Sequence, residues 1–313
     1  MISRRLVRIK TLQTLYAWKQ NSVTEIGFFF KELSDKLLLS QQFYIFLLDL
    51  PYQLLQYALR KEEMEKGKYY PNIEKIKQYS VLKRTPLISN IHQELLLLNL
   101  PNEFIWESLE GSFETLYQDL LDWDFVRDYD IFSEPNETQQ KEFIENLYYA
   151  FIETHQIFND SLEELYPAWP EDSTYILREM LKTIIVKNGE FKFDFHRVSS
   201  YEENEEIEYG RQLLNYTIRN SDDYEKMTAE VTDNWDPSRI AVIDLLTIKL
   251  TLTEFFNFPD IPVKVTINEY LEITKQFSTP NSSKFVNGIL DKLRINLESR
   301  NQIKKSVRGL KEN

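Results

Sequence analysis

The chain contains no cysteine, seven glycines and only three histidines among 313 residues. Without cysteine there is no disulfide frame, no thiolate nucleophile and no Cys-ligated zinc or iron–sulfur centre. His92, His155 and His196 stand far apart, and none has a second histidine at helical spacing. That argues against a histidine metal site or a catalytic triad. The glycines never gather into the turn that cradles phosphates in Walker or dinucleotide sites. A long apolar run is missing too: the greasiest stretch, Phe43 to Leu59, is broken by Asp49 and Pro51 and is short for a bilayer span. It reads as a buried helix. The N-terminus is basic, but no apolar core and cleavage site follow, so no secretory leader is expected. The absence of cysteine fits a reducing compartment. A cytoplasmic protein without cofactor, metal or membrane segment is the expectation.

What is present is ordinary in amount and uneven in placement. Apolar residues make up 42% and charged residues 28%, close to folded-protein averages. The net charge is −13, from 37 Lys and Arg against 50 Asp and Glu. Residues 1–19 carry Arg4, Arg5, Arg8, Lys10 and Lys19 with no acid, a net +5. Residues 300–313 carry Arg300, Lys304, Lys305, Arg308 and Lys311 against Glu312, a net +4, which leaves −22 on everything between. Basic ends on an acidic body serve either solubility or a local polyanion site on a chain that elsewhere repels polyanions.

Turn-forming residues punctuate the chain at 67–72, 99–102, 133–136, 166–173, 188–189 and 277–283, and the intervals have helical length and period. Phe143, Leu147, Tyr148 and Phe151, at three- and four-residue steps, predict a helix over Glu137–Phe158. The β-like run Phe191–Phe195 is too isolated to predict a sheet. The fold class is all-α. Trp106, Trp123 and Trp169 read as core anchors or, alternatively, as a partner surface. The glutamate-rich segment Tyr201–Glu208 reads as a linker or a first helical turn.

Ser3 to Lys19 reads as a helix with Ser3 at its N-cap. At about 100° per residue, Arg4, Arg5 and Arg8 fall within one arc, and Leu6, Ile9, Leu12, Leu15 and Tyr16 supply a packing side. Three arginines at a helix N-terminus are electrostatically unfavourable, since that end already favours anions. They suit an external polyanion, phosphate above all, or form a merely solvated face. Further on, Asp236 and Pro237 are suited to start a helix, and Ile240–Phe256 is apolar on most sides, as in the middle of a bundle. Its polar exceptions are Arg239, Asp244, Lys249 and Glu254. Asp244 is either paired internally or aimed at a partner. Pro262 precedes another helix, the loop Ser278–Ser283 ends it, and Ser282, Ser283 and Lys284 open a fresh helix N-terminus that suits an anion. Phe285 is either core or a stacking platform for an unpaired base.

The wording of these segments resembles a known family. Arg4-Arg5-Leu6-Val7-Arg8-Ile9-Lys10, followed by Leu12-Gln13-Thr14-Leu15-Tyr16-Ala17-Trp18, is similar to the opening helix of the NusB transcription antitermination factors. Asn234-Trp235-Asp236, the run Asp260 to Glu269, and Lys284-Phe285-Val286-Asn287-Gly288-Ile289-Leu290-Asp291 resemble that family's C-terminal signature, in the same order. The resemblance implies a NusB-like helical bundle formed by residues 1–21 and 203–299, a helical insertion over 22–202, and a basic tail over 300–313. It implies a non-enzymatic role: binding boxA-type single-stranded RNA with the ribosomal small-subunit protein NusE, and acting through them on RNA polymerase at ribosomal RNA operons. It assigns Arg4, Arg5, Arg8, Tyr16, Asn281, Ser282, Lys284 and Phe285 to RNA, and Asp244 to the NusE-facing side.

Two departures stand out. Asn281 and Ser283 occupy positions where the family commonly has an acid and a histidine, and loss of an acid beside RNA predicts tighter or less selective binding. The insertion has no counterpart in ordinary members, which need only about 140 residues, and nothing in it announces chemistry. A methyltransferase fusion would need a glycine-rich α/β domain that the chain lacks. A protein-interaction scaffold working through the insertion, or a ribosomal RNA processing or assembly factor, is the alternative reading.

Overall fold

The computed structural model describes residues 3–21, 25–98, 104–195, 205–232, 240–306 and 309. Among them are fifteen α-helices and one two-stranded hairpin, the all-α class expected. The chain divides into two compact units: a contiguous one, Leu38–Glu203 with Met1–Ser3, and a split one, Arg4–Leu37 with Asn204–Asn313. The division falls within helix α2 (Ile26–Leu48).

The contiguous unit continues with α3 (Leu50–Lys66), α4 (Ile73–Tyr79), α5 (Pro86–Leu97), α6 (Phe113–Asp122), α7 (Asp124–Asp130), α8 (Glu137–Tyr149), α9 (Gln156–Leu165) and α10 (Trp169–Thr183). Its interior is aromatic. The Phe43 ring lies 4.7 Å from Phe104, 4.7 Å from Tyr166 and 5.4 Å from Trp169. The polar tips find partners, as buried Trp and Tyr require: Trp169 Nε1 donates to Asn159 Oδ1 at 2.8 Å, and Tyr148 OH donates to the Leu48 carbonyl at 2.7 Å. Trp169 is buried. Trp106 and Trp123 are half-buried, stacked on Phe46 and tilted on Phe151.

Three local expectations are corrected here. The single buried helix over Phe43–Leu59 is two helices, because Pro51 has no N–H to continue α2 and instead opens α3 after Asp49. The helix over Glu137–Phe158 is interrupted by a π-turn at Ala150–Thr154, after which His155 Nδ1 accepts from Phe158 N at 3.1 Å and caps α9. The run Phe191–Phe195 does find a strand partner. β1 (Ile184–Lys187) and β2 (Glu190–Phe193) pair antiparallel, with Ile184 opposite Phe193. Asn188 and Gly189, at φ 57° and 78°, make the two-residue turn whose twist matches such strands.

The split unit holds α1 (Arg4–Gln20), the first turns of α2, α11 (Glu205–Arg219), α12 (Ser221–Val231), α13 (Val242–Asn257), α14 (Val263–Phe277) and α15 (Ser282–Ser299). α13 packs against α1, α11, α12, α14 and α15, and every residue from Asp244 to Phe255 is buried. That is the central helix its all-round apolar sequence predicts. Buried threonines are tolerated because their hydroxyls turn back: Thr247, Thr251 and Thr253 each donate to the carbonyl four residues earlier. Buried Lys249 is met by Ser221 Oγ at 2.8 Å and Glu225 Oε2 at 2.7 Å. α1 lies close on α11 because Gly210 leaves the space: a β-carbon there would stand 2.7 Å from Val7 Cγ1. The expected cap Asp236-Pro237 lies outside the described residues.

The start of the C-terminal tail is packed rather than loose. Lys305 Nζ donates to the carbonyls of Glu254 and Phe258, both at 2.9 Å, and so closes the C-terminal end of α13. Burial pushes the Lys305 ammonium down to about 8, against the pull of Glu254 and Asp260. Ser306 bonds Pro259 and Asp260. Among the described residues no helix is long and apolar enough to cross a membrane.

Candidate nucleic-acid interface

α1 places Arg4, Arg5 and Arg8 on one side, as the spacing predicts, and α11, α13 and α14 bring a glutamate to each. Arg4 Nε donates to both Glu206 oxygens at 3.1 and 2.9 Å. Arg5 forms a two-pronged pair with Glu269, through Nε at 2.7 Å and Nη2 at 2.5 Å. Arg8 does the same with Glu254, through Nε at 2.6 Å and Nη2 at 3.1 Å, and reaches Glu269 at 3.4 Å. The three side chains are 43%, 27% and 3% exposed.

Arg8 therefore belongs to the interior, which corrects its expected role as a direct RNA contact. Glu254, fully enclosed, is its counter-charge. Glu254 also accepts from Tyr209 OH at 2.5 Å, Tyr270 OH at 2.9 Å and Thr266 Oγ1 at 2.9 Å. Burial alone would lower the Arg8 guanidinium, but the Glu254 carboxylate, with Tyr209 and Tyr270, raises it well above its ordinary value. Burial alone would raise Glu254, and Arg8 with the hydroxyl donors holds it below the usual carboxylate range. Burial and the same carboxylate push both tyrosines up. The pair stays ionised because Glu254 accepts two hydrogen bonds from Arg8 and three more from hydroxyls. The Arg8 guanidinium lies 5.6 Å from the Tyr209 ring and 5.7 Å from the Tyr270 ring, and Arg4 stands 5.5 Å from Tyr209.

What remains for a ligand on this helix is Arg4, Arg5 and Tyr16, the last 41% exposed. Lys10 is buried. Beside Arg4 opens a cleft of about 390 Å³ whose other charged lining residues, Glu205, Glu208 and Asp260, are all acids. A polyanion is repelled from that side, so the usable face runs toward Arg5.

The second expected patch, at the start of α15, separates into a supported floor and an exposed rim. Ser278 Oγ donates to Asp244 Oδ1 at 2.6 Å and lies 3.0 Å from Ser282 Oγ, which in turn lies 2.8 Å from Thr279 Oγ1. Asp244 and Ser282 are buried, at 4% and 5%. Both support the loop from within, Ser282 where an RNA contact was expected and Asp244 where a NusE-facing residue was expected. Asp244 is paired internally, one of the two readings the residues themselves allowed. Phe285 is half-buried against the core of this unit. Asn281 and Lys284 are exposed.

The residues that sequence reasoning missed are the carboxylates. Glu254 stood out as an acid on an otherwise apolar helix, which is a signal that a buried partner exists. The partner is 246 positions away, and no spacing rule reaches that far. Glu206 and Glu269 gave no signal at all.

Residues 177–294 match the NusB family. The transcription antitermination protein NusB of Chloroherpeton thalassium is 41% identical over 99 residues, which is 32% of this chain and 47% of that protein. The NusB of Salinibacter ruber is 33% identical over 103 residues, 33% of this chain and 64% of the relative. The NusB of Geotalea daltonii is 39% identical over 85 residues, 27% and 59% respectively. The chain thus spans about half to two thirds of the length of these relatives. No solved structure matches.

Proposed function

We propose that the chain, whose residues 177–294 match the NusB family, is a non-catalytic, cytoplasmic transcription antitermination factor. It binds boxA-type single-stranded RNA together with the ribosomal protein NusE, and so acts on RNA polymerase at ribosomal RNA operons. The split unit is the working core, and Arg4, Arg5, Tyr16, Asn281 and Lys284 carry the RNA contacts. The carrying observation is the pair Arg4 and Arg5, displayed on one side of α1 and still 43% and 27% exposed beside their glutamates. A solvent-exposed guanidinium can pair with phosphate bidentately, and Tyr16 offers a ring to an unstacked base. Arg8, Asp244 and Ser282 act one layer behind: Arg8 fixes α1 against α13, and Asp244 with Ser282 holds the loop that presents Asn281.

The test is binding of a boxA-like RNA, with and without NusE, titrated over salt. Arg4→Ala with Arg5→Ala should weaken binding and lower the salt slope by about 1.4, the share of two phosphates on a single strand. Unchanged affinity and slope would remove α1 as the site.

A further inference from the structure

The contiguous unit carries fifteen basic and thirty acidic residues, a net −15. Its basic residues are not scattered. Eight of the fifteen lie between Arg60 and Arg84, against four of the thirty acids. Residues 66–84 alone hold six basic residues and one acid, a net +5 over nineteen positions, equal to that of residues 1–19. At the tip of this segment, between α3 and α4, sit Tyr69 and Tyr70, 89% and 85% exposed. Their rings meet edge to face, with centroids 4.7 Å apart and planes at 89°. Met64 and Ile73 flank them, 67% and 68% exposed.

Single exposed apolar residues are ordinary, but a contiguous group of them marks an interaction surface. The turn that carries them is firmly built. Buried Glu65 accepts from Lys68 Nζ at 2.6 Å and from Asn72 N at 3.1 Å, tying both sides of the turn to α3. Asn72 Oδ1 then caps α4 by accepting from Glu74 N and Lys75 N at 3.0 and 3.1 Å. The rings are thus displayed on a braced frame rather than on a slack loop. Of the nearby cations, Lys66 and Lys68 lean on Glu62 and Glu65. Lys75 and Lys77 are exposed and form no salt bridge among the described residues. Glu63 and Glu74 are the exposed acids of the patch.

We propose that Tyr69 and Tyr70, with Lys75 and Lys77, form a second binding site for single-stranded RNA, on the insertion and separate from the α1 face. The chemistry is that of single-strand recognition: ring faces for unstacked bases, and cations for the phosphates between them. Charge complementarity selects the occupant, since this is the one strongly basic stretch of an acidic unit. The two rings offer faces at right angles, which suits splayed bases better than a lipid surface. The proposal rests on the RNA-binding reading above and extends the contacted strand beyond the α1 face.

The test uses the full chain and a boxA-like RNA extended by flanking nucleotides on either side. Tyr69→Ala with Tyr70→Ala should weaken binding of an extended RNA at least about fivefold, the low end for losing one stacked base. Tyr69→Phe with Tyr70→Phe should restore it. Lys75→Ala with Lys77→Ala should lower the salt slope by about 1.4. Photocrosslinking should join RNA to the peptide containing Tyr69 and Tyr70. If the Arg4 and Arg5 variant loses RNA while the alanine pair binds every extended RNA unchanged, this site is refuted and the α1 site stands. Loss in the tyrosine variant alone upholds this site and refutes the α1 one. No RNA binding by the unaltered chain at any salt overturns both. Tyrosine-dependent sedimentation with phosphatidylserine vesicles, without any effect on RNA, also overturns the proposal.

Discussion

Residues 1–19 and residues 66–84 have the same length and the same net charge of +5, and folding treats them in opposite ways. The first becomes a helix whose arginines are drawn onto glutamates from three other helices, one of them fully buried. The second becomes a turn and a short helix whose ends are tied locally and whose Tyr69, Tyr70, Lys75 and Lys77 face outward. The difference lies in the apolar residues between the charges. Leu6, Val7, Ile9, Leu12 and Leu15 force α1 into the core and drag Arg8 with it, so Arg8 needs a counter-charge inside. Residues 66–75 bury no side chain at all, so their charges stay in water. Net charge describes a segment; its apolar spacing decides which charges a ligand can reach.

The largest effect should come from breaking the enclosed end of that contrast. Glu254→Ala leaves Arg8 buried without a partner, and urea unfolding should record a loss of about 3–5 kcal/mol. Lys75→Ala with Lys77→Ala, on the exposed segment, should stay within about 0.5 kcal/mol. Equal losses would mean that the two segments are not buried differently. Next comes the seating of α1. Gly210→Val drives a side chain into Val7 and should cost about 1–3 kcal/mol by the same measurement.

A smaller effect, within the split unit, is one of pH. Glu254 is held below its unfolded range, so its stabilisation is present above about pH 4.3 and fades as pH falls through its lowered folded value. Lys305 behaves the other way. Its folded value of about 8 lies below the unfolded 10.5, so between these the unfolded chain holds the extra proton and stability rises with pH. Chemical denaturation from pH 7 to 10.5 should show this rise, and Lys305→Met should flatten it. The smallest effect concerns competition for Arg5. Glu269→Gln removes a carboxylate that an RNA phosphate must displace, and should tighten RNA binding by up to about fivefold, the worth of a surface ion pair. Asn281→Asp should loosen it; tightening there would reverse the sign assigned to the missing acid.

Much of the fold could be read from periodicity. The all-round apolar run before Phe256 announced the central helix, and Asn188-Gly189 marked a turn. What was missed depended on distant or local chemistry that periodicity does not carry. Pro51 splits a greasy run, a π-turn splits α8 from α9, and Phe191–Phe193 finds its strand partner in Ile184–Lys187. At the candidate site, Arg4 and Arg5 were legible as a face, whereas Tyr16, read from spacing as packing, is 41% exposed and was assigned to RNA only by the resemblance. Arg8 was not, because Glu254 is remote in sequence. Asp244 was settled by Ser278, a loop hydroxyl that no pattern links to it. The basic turn at 66–84 vanished when charge was averaged over an acidic body.

The split unit has one further consequence, for the order in which the chain is made. α1 leaves the ribosome ahead of the other helices described, yet the carboxylate that Arg8 needs is 246 residues behind it. At about 5–20 residues per second, that is a wait of roughly 12–50 s. The contiguous unit, complete by residue 203, has every partner of its aromatic core in hand long before then. Synthesis therefore runs against the usual order: the middle of the chain can fold first. The first helix, basic and apolar at once, remains unmatched in the nascent chain until almost the last helices emerge.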